Sequence, residues 1–321
     1  ENKMCEVSVI IPNYNGKQYL KTCLDALRRQ TSRNFKTILV DNGSQDGSRE
    51  YVQEQYPEVK IVALKENTGF CGAVNAGIRV SASPYVLLLN NDTQAEPEFV
   101  ENLTKAVKKR KNCFSVQAKM LQMHDKTRMD DAGNAYCAFG WAFAEGKGRP
   151  ETEYCTERQI FSSCAGAAIY RREILDKIGL FDEEHFAYLE DLDICYRARL
   201  RGYENWFCPS ARVLHVGSGT SGSRYNLFKV RYSSRNNIYL AYKNMPLAQL
   251  IWNSPLLLLG FAAKALFFAS KGYGGEYIRG LKNGIQISVK NRDKKVRKVP
   301  AGTCLKIQLE LYKNMIKKLT S

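Results

Sequence analysis

The chain has 321 residues, of which 44% are hydrophobic and 25% are charged, and this balance excludes disordered, fibrous and collagen-like proteins. The length allows one large domain with an appendage, or two modest domains. A formal net charge of +16 predicts a surface that attracts an anion, which is a nucleic acid, a phosphate-bearing substrate or the inner leaflet of a membrane. Charge alone does not choose among these three.

The cysteines and the opening residues both bear on the cellular compartment. Ten cysteines are scattered along the chain without a CxxC pair, so they predict small buried side chains in a reducing compartment rather than a disulfide framework. The opening residues ENKMCEV lack the basic region and long apolar stretch of a secretory signal. We therefore expect a cytoplasmic protein.

Strand-like and helical patterns alternate in the first hundred residues. Short apolar runs predict four strands, at residues 7–11, 35–40, 60–64 and 85–89. Helical spacing of apolar residues predicts a helix between the first two strands, and a second helix opens near Gly69. This alternation predicts an α/β fold with a mixed, mainly parallel sheet that is flanked by helices and built with right-handed crossovers.

Polar residues follow three of these strands, at positions 12–16, 41–46 and 90–92. Because the carboxyl ends of parallel strands meet at one edge of a sheet, where ligands bind, the three loops are expected to converge on one site. For the Asn-Asn-Asp sequence at 90–92, a plain turn is the alternative interpretation.

The last quarter of the chain has a different character. Residues 253–268 form a dense apolar block that is broken by Pro255, Gly260 and Lys264, and a basic run follows at 290–298. The block is too short and interrupted to predict a transmembrane helix, and it favours an amphipathic or re-entrant segment at a membrane interface. We expect residues 246–321 to form a helical, apolar and basic extension that associates with a membrane, with an oligomer interface as the alternative.

Six motifs occur together along the chain. They are VSVIIPNYNG, VDNGSQDGS, NTGFCGAVNAGI, LLLNNDT, GLFDE and YLEDLDICYRAR. In this order they resemble the inverting family 2 glycosyltransferases of the GT-A fold, and most of all the bacterial rhamnosyltransferases that extend lipid-linked polysaccharides. The resemblance covers residues 7–245. It implies a Rossmann-like domain in which residues 1–110 bind the nucleotide sugar and residues 111–245 bind the acceptor and carry the catalytic group.

The resemblance implies that the first loops bind the sugar donor. Asp41 is expected to accept a hydrogen bond from the pyrimidine N3–H, although a plain βα loop with an N-cap is the alternative. The glycine-rich segment 67–77 allows close backbone approach and leads into a helix N-terminus that attracts phosphate. It matches neither GxGxxG nor a P-loop, which argues against dehydrogenases and NTPases. The expected donor-binding residues are Pro12, Tyr14, Asn15, Asp41, Asn67, Gly69, Gly72, Asn75, Asn90 and Asn91.

Families of this fold hold a divalent cation with an Asp-x-Asp type motif, and here the motif reads Asn-Asn-Asp. The resemblance therefore implies that Asp92 binds the metal, with modest affinity, while Asn90 bonds ribose or sugar. His215 follows another strand-like segment and is the second expected ligand, with a merely satisfied polar histidine as the alternative. An imidazole beside a carboxylate suits Mn²⁺ as well as Mg²⁺.

An inverting transfer needs a carboxylate that removes the proton of the acceptor hydroxyl. Glu190, Asp191 and Asp193 stand within four residues at the start of a helical pattern. The resemblance implies that Asp191 is the base and that Glu190 orients the acceptor. The alternative is an acidic first turn that complements the helix dipole, and Asp193 and Arg197 have the i,i+4 spacing of a surface ion pair.

Two further segments are candidates for acceptor binding. Ala165 and Gly166 lie in a run of small residues, 164–168, that resembles the strand at the floor of the acceptor site. Trp141 and its aromatic neighbours are suited to stacking on a sugar ring. Core packing explains both segments equally well.

These expectations combine into a metal-dependent inverting glycosyltransferase that moves a sugar onto a lipid-linked glycan at the cytoplasmic face of a membrane. The expected donor is dTDP-rhamnose, and UDP-galactofuranose and UDP-GlcNAc are the alternatives. A non-enzymatic membrane or nucleic-acid-binding module is the distant alternative, but it leaves the converging polar loops unexplained and no nucleic-acid motif supports it. The extension is also compatible with a homo-oligomer.

Overall fold

The computed structural model describes residues 5–217 and 225–320, and the opening residues 1–4, where no secretory signal is expected, lie outside it. In the described ranges the chain forms twelve strands and ten α-helices. The strands are β1 (Val7–Asn13), β2 (Phe35–Asn42), β3 (Lys60–Leu64), β4 (Tyr85–Leu89), β5 (Thr93–Ala95), β6 (Cys113–Gln122), β7 (Met129–Asp131), β8 (Asn134–Tyr136), β9 (Ala142–Ala144), β10 (Arg158–Ile160), β11 (Ala167–Arg171) and β12 (Glu204–His215). The helices are α1 (Lys17–Arg28), α2 (Ser48–Gln55), α3 (Gly69–Val80), α4 (Phe99–Lys108), α5 (Arg172–Ile178), α6 (Glu190–Leu200), α7 (Leu227–Asn244), α8 (Leu247–Ser270), α9 (Gly274–Lys290) and α10 (Ala301–Thr320).

Ten strands join in one sheet, whose main path runs β10-β12-β6-β11-β4-β1-β2-β3. Strands β1 to β4, β6 and β12 point in one direction, because β11 pairs antiparallel with both β4 and β6. The predicted mixed, mainly parallel sheet is confirmed. Strands from both sides of residue 110 contribute to it, so the two expected halves share one sheet, and their boundary stays a prediction.

Helices cover both faces of the sheet, which is why the inner strands are apolar runs rather than alternating patterns. On β1, Val9 and Ile11 face one buried cluster and Ile10 faces the other. Helices α1 and α4 pack on the first face, and α3 packs on the second. Gly77 allows the close approach of α3, since a Cβ there would lie 2.5 Å from the Cγ2 atom of Ile10.

The carboxyl ends of β1, β2, β4 and β12 meet at one edge of the sheet. Short β5 pairs antiparallel with the end of β12, in a register that sets His215 opposite Thr93. This pairing brings the segment after β4 next to a histidine more than a hundred residues further along the chain. The expected convergence of the polar loops follows from this topology.

The apolar block of the extension is not interrupted. It forms part of one 24-residue helix, α8, with Pro255 inside it. Proline lacks the N–H that would bond the Ile251 carbonyl, and the Ser254 hydroxyl donates to that oxygen instead, at 2.8 Å. Gly260 allows contact with the loop before β9, because a Cβ there would lie 2.1 Å from the Phe139 carbonyl oxygen. By length and composition alone α8 is sufficient to cross a bilayer.

Candidate functional site

A cleft of about 1010 Å³ opens at the carboxyl edge of the sheet. The residues that line it come from the ends of β1, β2 and β4, the start of α3 and the segment before β11. The starts of α6 and α7 also contribute. Twelve residues expected from the sequence line it: Pro12, Tyr14, Asn67, Gly69, Asn90, Asn91, Asp92, Ala165, Gly166, Glu190, Asp191 and His215. The fold thus brings most of the expected donor residues, both expected metal ligands, the expected base and three of the expected acceptor residues to one cavity.

Asp41 lies just behind the cleft lining, near the end of β2. It is 3% exposed, and its Oδ1 atom has no hydrogen-bond partner among the described residues. A buried carboxylate oxygen without a donor is costly, so it is suited to accept a hydrogen bond from a ligand. Asp41 is not an N-cap, because α2 begins at Ser48 after Gly47.

Asn42, the next residue, is a cleft-lining residue that sequence reasoning missed. Its Oδ1 atom accepts from the backbone N–H and the hydroxyl of Thr68, at 2.9 and 3.0 Å. Its amide donates to Asn67 Oδ1 and to the Gly69 carbonyl, at 3.0 and 3.1 Å. Asn42 therefore fixes the glycine-rich loop at the point where Gly69, with a φ of 76°, turns the chain into α3.

Besides Asp41, three of the expected donor residues lie outside the cleft lining and hold the loops around it. The Asn15 side chain accepts from the Gln45 N–H at 2.8 Å, which ties the first loop to the second. Gly72 lies in the first turn of α3, where a Cβ would lie 2.4 Å from the Thr68 hydroxyl oxygen. Asn75 is 1% exposed, and its amide donates to the Phe181 carbonyl at 2.8 Å. Sequence reasoning had no means of separating these supporting residues from those that face the cavity.

Trp141 is not brought to the cleft. Its indole N–H donates to the Gly260 carbonyl at 3.0 Å, and its ring packs against Phe139 with 5.1 Å between the centroids. The side chain therefore joins the loop before β9 to α8. Trp141 therefore packs against neighbouring parts of the protein, which was the alternative interpretation of this residue.

The Asn-Asn-Asp segment contributes three different functions to the site. Asn91 is 5% exposed, and its amide donates to Asn13 Oδ1 at 2.7 Å, which ties the ends of β4 and β1 together. Asn90 lines the cleft beside Gly166, whose carbonyl accepts from the Asn90 N–H at 2.9 Å. Asp92 lines the cleft beside His215. Asn91 and Asp92 form a turn, as the alternative interpretation held, and all three residues of the segment also line the cleft.

His215 lies between two carboxylates. Its Nε2 atom is 3.2 Å from Asp92 Oδ1, and its Nδ1 atom is 2.7 Å from Asp130 Oδ2. Burial lowers the pKa of His215, but the hydrogen bonds to Asp130 and Asp92 outweigh it and raise the pKa to about 9. Asp130, on β7, was missed by sequence reasoning, and the only signal for it was the acidic pair in MDDAG.

The arrangement of these three side chains fits a divalent cation. In metal sites a ligating histidine donates its other ring N–H to a carboxylate, which fixes the tautomer and the ring orientation. Asp130 stands in that relation to His215, while the Nε2 atom and the Asp92 carboxylate face each other at the cleft. Asp92 and His215 could hold Mn²⁺ or Mg²⁺ there, and Asp130 would orient the imidazole.

A second group of metal-ligating residue types lies apart from this site and is already neutralised. Asp182, His185 and Asp193 are all buried, and their ligand atoms lie within 4.8 Å of one another. The Lys243 ammonium donates to Asp182 Oδ2 and Asp193 Oδ2, at 2.6 and 3.0 Å. Arg197 also bonds Asp193, at 3.0 Å, so the expected i,i+4 pair forms, but with a buried carboxylate and not on the surface. We interpret this group as a structural ion network.

Glu190 and Asp191 form the first turn of α6 and line the cleft. Asp191 Oδ2 accepts from the Asn134 amide at 2.9 Å, and Glu190 Oε2 has no hydrogen-bond partner among the described residues. Burial is the main cause that raises the pKa of both carboxyl groups. Nearby carboxylates add to the rise, since Asp191 acts on Glu190 and Asp131 acts on Asp191. A carboxyl group whose pKa is raised toward neutrality is suited to exchange protons with a substrate.

Three aromatic rings form one wall of the cleft beside these acids. This aromatic wall consists of Phe186, Tyr188 and Phe228, with Tyr232 behind Phe228 at a centroid distance of 4.4 Å. Phe186 and Tyr188 lie 6.2 and 5.9 Å from Phe228 in edge-to-face geometry. Phe228 is 43% exposed, so the wall presents apolar surface to the cavity. Trp141 is not part of this wall.

The loop that carries Phe186 and Tyr188 has a strained backbone. Phe186, Tyr188 and Leu189 have φ angles of 59°, 71° and 66°, which non-glycine residues seldom adopt. The Asn236 amide on α7 bonds the carbonyls of His185, Ala187 and Tyr188, at 2.9, 2.8 and 2.7 Å. Such strain persists only where the surroundings impose it, and it is common at functional sites.

The sequence matches a known protein family in the region that contributes much of the cleft. The family model of glycosyl transferase family 2 matches residues 8–179, which is more than half of the chain. The chain belongs to glycosyl transferase family 2. The resemblance expected from the six motifs is thus confirmed, and the cleft lies where the matched region and the following residues meet.

This glycosyltransferase is similar to curated bacterial glycosyltransferases. It is 26% identical to the N-acetylglucosaminyl-diphospho-decaprenol L-rhamnosyltransferase of Mycobacterium tuberculosis, over 77% of this chain and 87% of that protein. It is 30% identical to the putative teichuronic acid biosynthesis glycosyltransferase TuaG of Bacillus subtilis, over 39% of this chain and 50% of that protein.

Two solved structures share the fold. GalNAc-T7, solved with UDP, GalNAc and Mn²⁺, aligns with a TM-score of 0.59 and 16% identity over 75% of this chain, which spans 48% of that protein. The mannosyltransferase PcManGT of Pyrobaculum calidifontis, solved with GDP-Man and Mn²⁺, aligns with a TM-score of 0.55 and 17% identity, over 92% of this chain and 89% of that one. The glycosyltransferase therefore has the GT-A fold that its motifs predicted.

Proposed function

We propose that this family 2 glycosyltransferase is a metal-dependent inverting enzyme that moves rhamnose from dTDP-rhamnose onto a lipid-linked glycan at the cytoplasmic face of a membrane. The observation that carries the proposal is the cavity itself. Its lining offers both the Asp92–His215 pair and Asp191, a carboxyl group whose pKa burial raises. A leaving diphosphate and an attacking hydroxyl need groups of these two kinds.

The donor side of the cleft binds and orients the nucleotide. The unpartnered Oδ1 atom of Asp41 accepts from the pyrimidine N3–H, and Pro12 and Tyr14 form the other wall. Asn42 holds the start of α3, whose N-terminal N–H groups face the phosphates. A divalent cation on Asp92 and His215 would supply positive charge for the departing diphosphate.

The acceptor side takes the proton. Asp191 removes the proton of the acceptor hydroxyl as its oxygen attacks the anomeric carbon from the side opposite the diphosphate. The bond from Asn134 holds the Asp191 carboxylate in place, and Glu190, with a free Oε2 atom, bonds the acceptor.

The choice of rhamnose and of a lipid-linked acceptor is supported by the mycobacterial relative, whose name gives L-rhamnose as the sugar and N-acetylglucosaminyl-diphospho-decaprenol as the acceptor. Calorimetric titration with dTDP and with UDP, each with and without Mn²⁺, tests the donor. Tighter, Mn²⁺-dependent binding of dTDP is expected. Preference for UDP would change the donor to a UDP sugar such as UDP-galactofuranose or UDP-GlcNAc, and absence of binding by either would contradict the proposed enzyme.

The metal site gives a first prediction. Asp92→Ala is expected to weaken Mn²⁺-dependent binding of dTDP by at least about tenfold, because a ligand to the metal is lost. Binding without Mn²⁺ should change little. Asp125→Ala is the matched control, since Asp125 is an exposed carboxylate in the turn after β6 and bonds Thr127. Equal Mn²⁺ dependence in the two variants would remove Asp92 from the metal site.

The aromatic wall gives a second prediction. Phe228→Ala is expected to raise the KM for the acceptor about three- to tenfold, because a ring that stacks on the acceptor contributes on the order of 1 kcal/mol. Phe228→Tyr keeps the ring and should behave like the wild type. Calorimetry should show that neither variant changes dTDP affinity. An acceptor KM that is the same in all three proteins would show that the wall does not bind the acceptor.

A further inference from the structure

Helix α8 has an unusual distribution of polarity. Its inner face carries Gln249 and Asn253, both buried, and the Asn253 amide donates to Gln308 Oε1 on α10 at 2.8 Å. Its outward positions are apolar: Leu247, Ile251, Trp252, Leu258, Leu259, Leu266 and Phe267 are 42–76% exposed. Their spacing of three, four and seven residues places most of them on one side of the helix. In water such a helix turns its polar side outward, so this one is built for an apolar neighbour.

Helix α10 extends this surface. Leu305, Leu309, Ile316 and Leu319 are 59–65% exposed and recur at helical spacing. The indole N–H of Trp252 on α8 donates to the hydroxyl of Tyr312 on α10, so the two exposed sides adjoin. We call the exposed apolar residues of α8 and α10 the outer face. A contiguous apolar surface on two helices marks an interaction site.

The charge of the extension identifies a partner. Residues 246–321 contain 14 Lys and Arg against three Asp and Glu, so they carry +11 of the chain's +16. Exposed lysines such as Lys306 and Lys313 lie on the same helix as the apolar residues of α10. Apolar side chains combined with basic ones match an anionic lipid surface, which attracts both. A second copy of the chain is disfavoured as the partner, because the two extensions would each carry a charge of +11 and would repel each other.

The outer face also leads to the cleft. At the carboxyl end of α8, the rings of Phe267 and Phe268 lie 5.9 and 5.8 Å from the ring of Tyr225. Two residues further on, Leu227 is 57% exposed and lines the cleft next to Phe228. Apolar surface therefore continues from the outer face to the mouth of the cavity, where a lipid-linked substrate would have to arrive.

We propose that the outer face docks on an anionic membrane surface and that the enzyme lies on the bilayer with its cleft mouth beside the lipid. Helix α8 lies on the membrane and does not cross it, because its inner side is occupied by the protein. Gln249, Asn253 and Gly260 on that side pack on the rest of the protein along the helix. That the acceptor is lipid-linked rests on the proposed function, whereas membrane docking requires only the extension, residues 246–321.

Co-sedimentation of the full chain with vesicles tests the docking. Binding is expected to vesicles that contain about one third phosphatidylglycerol and to be much weaker with phosphatidylcholine alone or at high salt. Leu258→Gln with Leu259→Gln, and separately Lys306→Gln with Lys313→Gln, should each lower the partition coefficient at least about tenfold. Val80→Gln, an exposed apolar residue of α3, is the matched control and should bind as the wild type does.

Two results would overturn the proposal. One is vesicle binding that the Leu258→Gln, Leu259→Gln variant retains in full. The other is a dimer in light scattering that this variant converts to a monomer, since the outer face would then bind a second copy. The docking variants should keep wild-type dTDP affinity, whereas Asp191→Asn should keep vesicle binding, so failure of docking and failure of the proposed transferase are distinguishable.

Discussion

Replacement of Asp191 by Asn is expected to lower kcat by about 10² to 10⁴, the range that general-base catalysis contributes. The amide keeps the size of the side chain and its contact with Asn134, but it cannot accept the proton of the acceptor hydroxyl. Affinity for dTDP and Mn²⁺ should stay near that of the wild type, because Asp92 and His215 are unchanged. Steady-state transfer kinetics and calorimetry on the same preparation measure both quantities.

The pH dependence of the wild type provides an independent check on the base. Burial raises the pKa of Asp191, and the reaction needs its deprotonated form, so kcat/KM should fall as the pH is lowered through this raised pKa. The acid limb is expected well above about pH 4, where an ordinary aspartate titrates. Asp131→Asn tests the electrostatic part: the negative charge of Asp131 also raises the pKa of Asp191, so its removal should lower that pKa and move the limb to lower pH.

Near-normal turnover in Asp191→Asn would contradict the assignment of the base. If Glu190→Gln were instead the inactive variant, the two carboxylates would have exchanged roles.

Replacement of Lys243 by Met is expected to lower the free energy of unfolding by about 3 to 5 kcal/mol, because it leaves the buried carboxylates of Asp182 and Asp193 without their shared cation. Lys243 is 4% exposed and bonds both groups. Lys290→Met is the matched control, since Lys290 pairs with Glu184 on the surface at 3.0 Å. That surface pair should contribute less than about 1 kcal/mol. Denaturant unfolding of the two variants and the wild type measures the difference.

The same network predicts an acid-sensitive part of the stability. Burial raises the pKa of Asp193, but the charges of Lys243 and Arg197 outweigh it and hold the pKa well below its usual range. A carboxylate with a lowered folded pKa stabilises above its unfolded pKa, about 4, and the contribution is lost as the pH falls toward the folded value. In Lys243→Met this loss below about pH 4 should be smaller. Equal unfolding energies for Lys243→Met and Lys290→Met at neutral pH would refute the role of the network.

Much of the fold follows from local sequence. The four N-terminal strands and the helix before the second strand lie where apolar runs and helical spacing predicted them, because a sheet covered on both faces needs continuous apolar strands. The continuity of α8 was not predictable from Pro255 and Gly260. Each residue is a helix breaker in isolation, and the compensating Ser254 bond and Phe139 contact appear only in three dimensions.

The positions of Asp92 and Asp191 in the cleft were predictable because each lies in a recognisable motif, Asp92 after β4 and Asp191 at the start of α6. Residues that act through another residue left no comparable signal. Asp130 forms a hydrogen bond with His215, although the two residues are 85 positions apart in the chain. Asn236, in the middle of α7, bonds the strained loop that precedes α6. Trp141 was misplaced because an aromatic residue near a glycine-rich stretch has the same composition whether it stacks on a sugar or packs on a helix.

A single transfer reaction tests whether the enzyme is a metal-dependent inverting rhamnosyltransferase. The enzyme would be incubated with dTDP-rhamnose, Mn²⁺ and a short-chain lipid diphosphate that carries N-acetylglucosamine, and the anomeric configuration of the product would be read by NMR. A rhamnosylated lipid with the configuration opposite to that of the donor is expected, formed only with the metal. A product of retained configuration, or transfer that is equally fast after chelation of the metal, would contradict it.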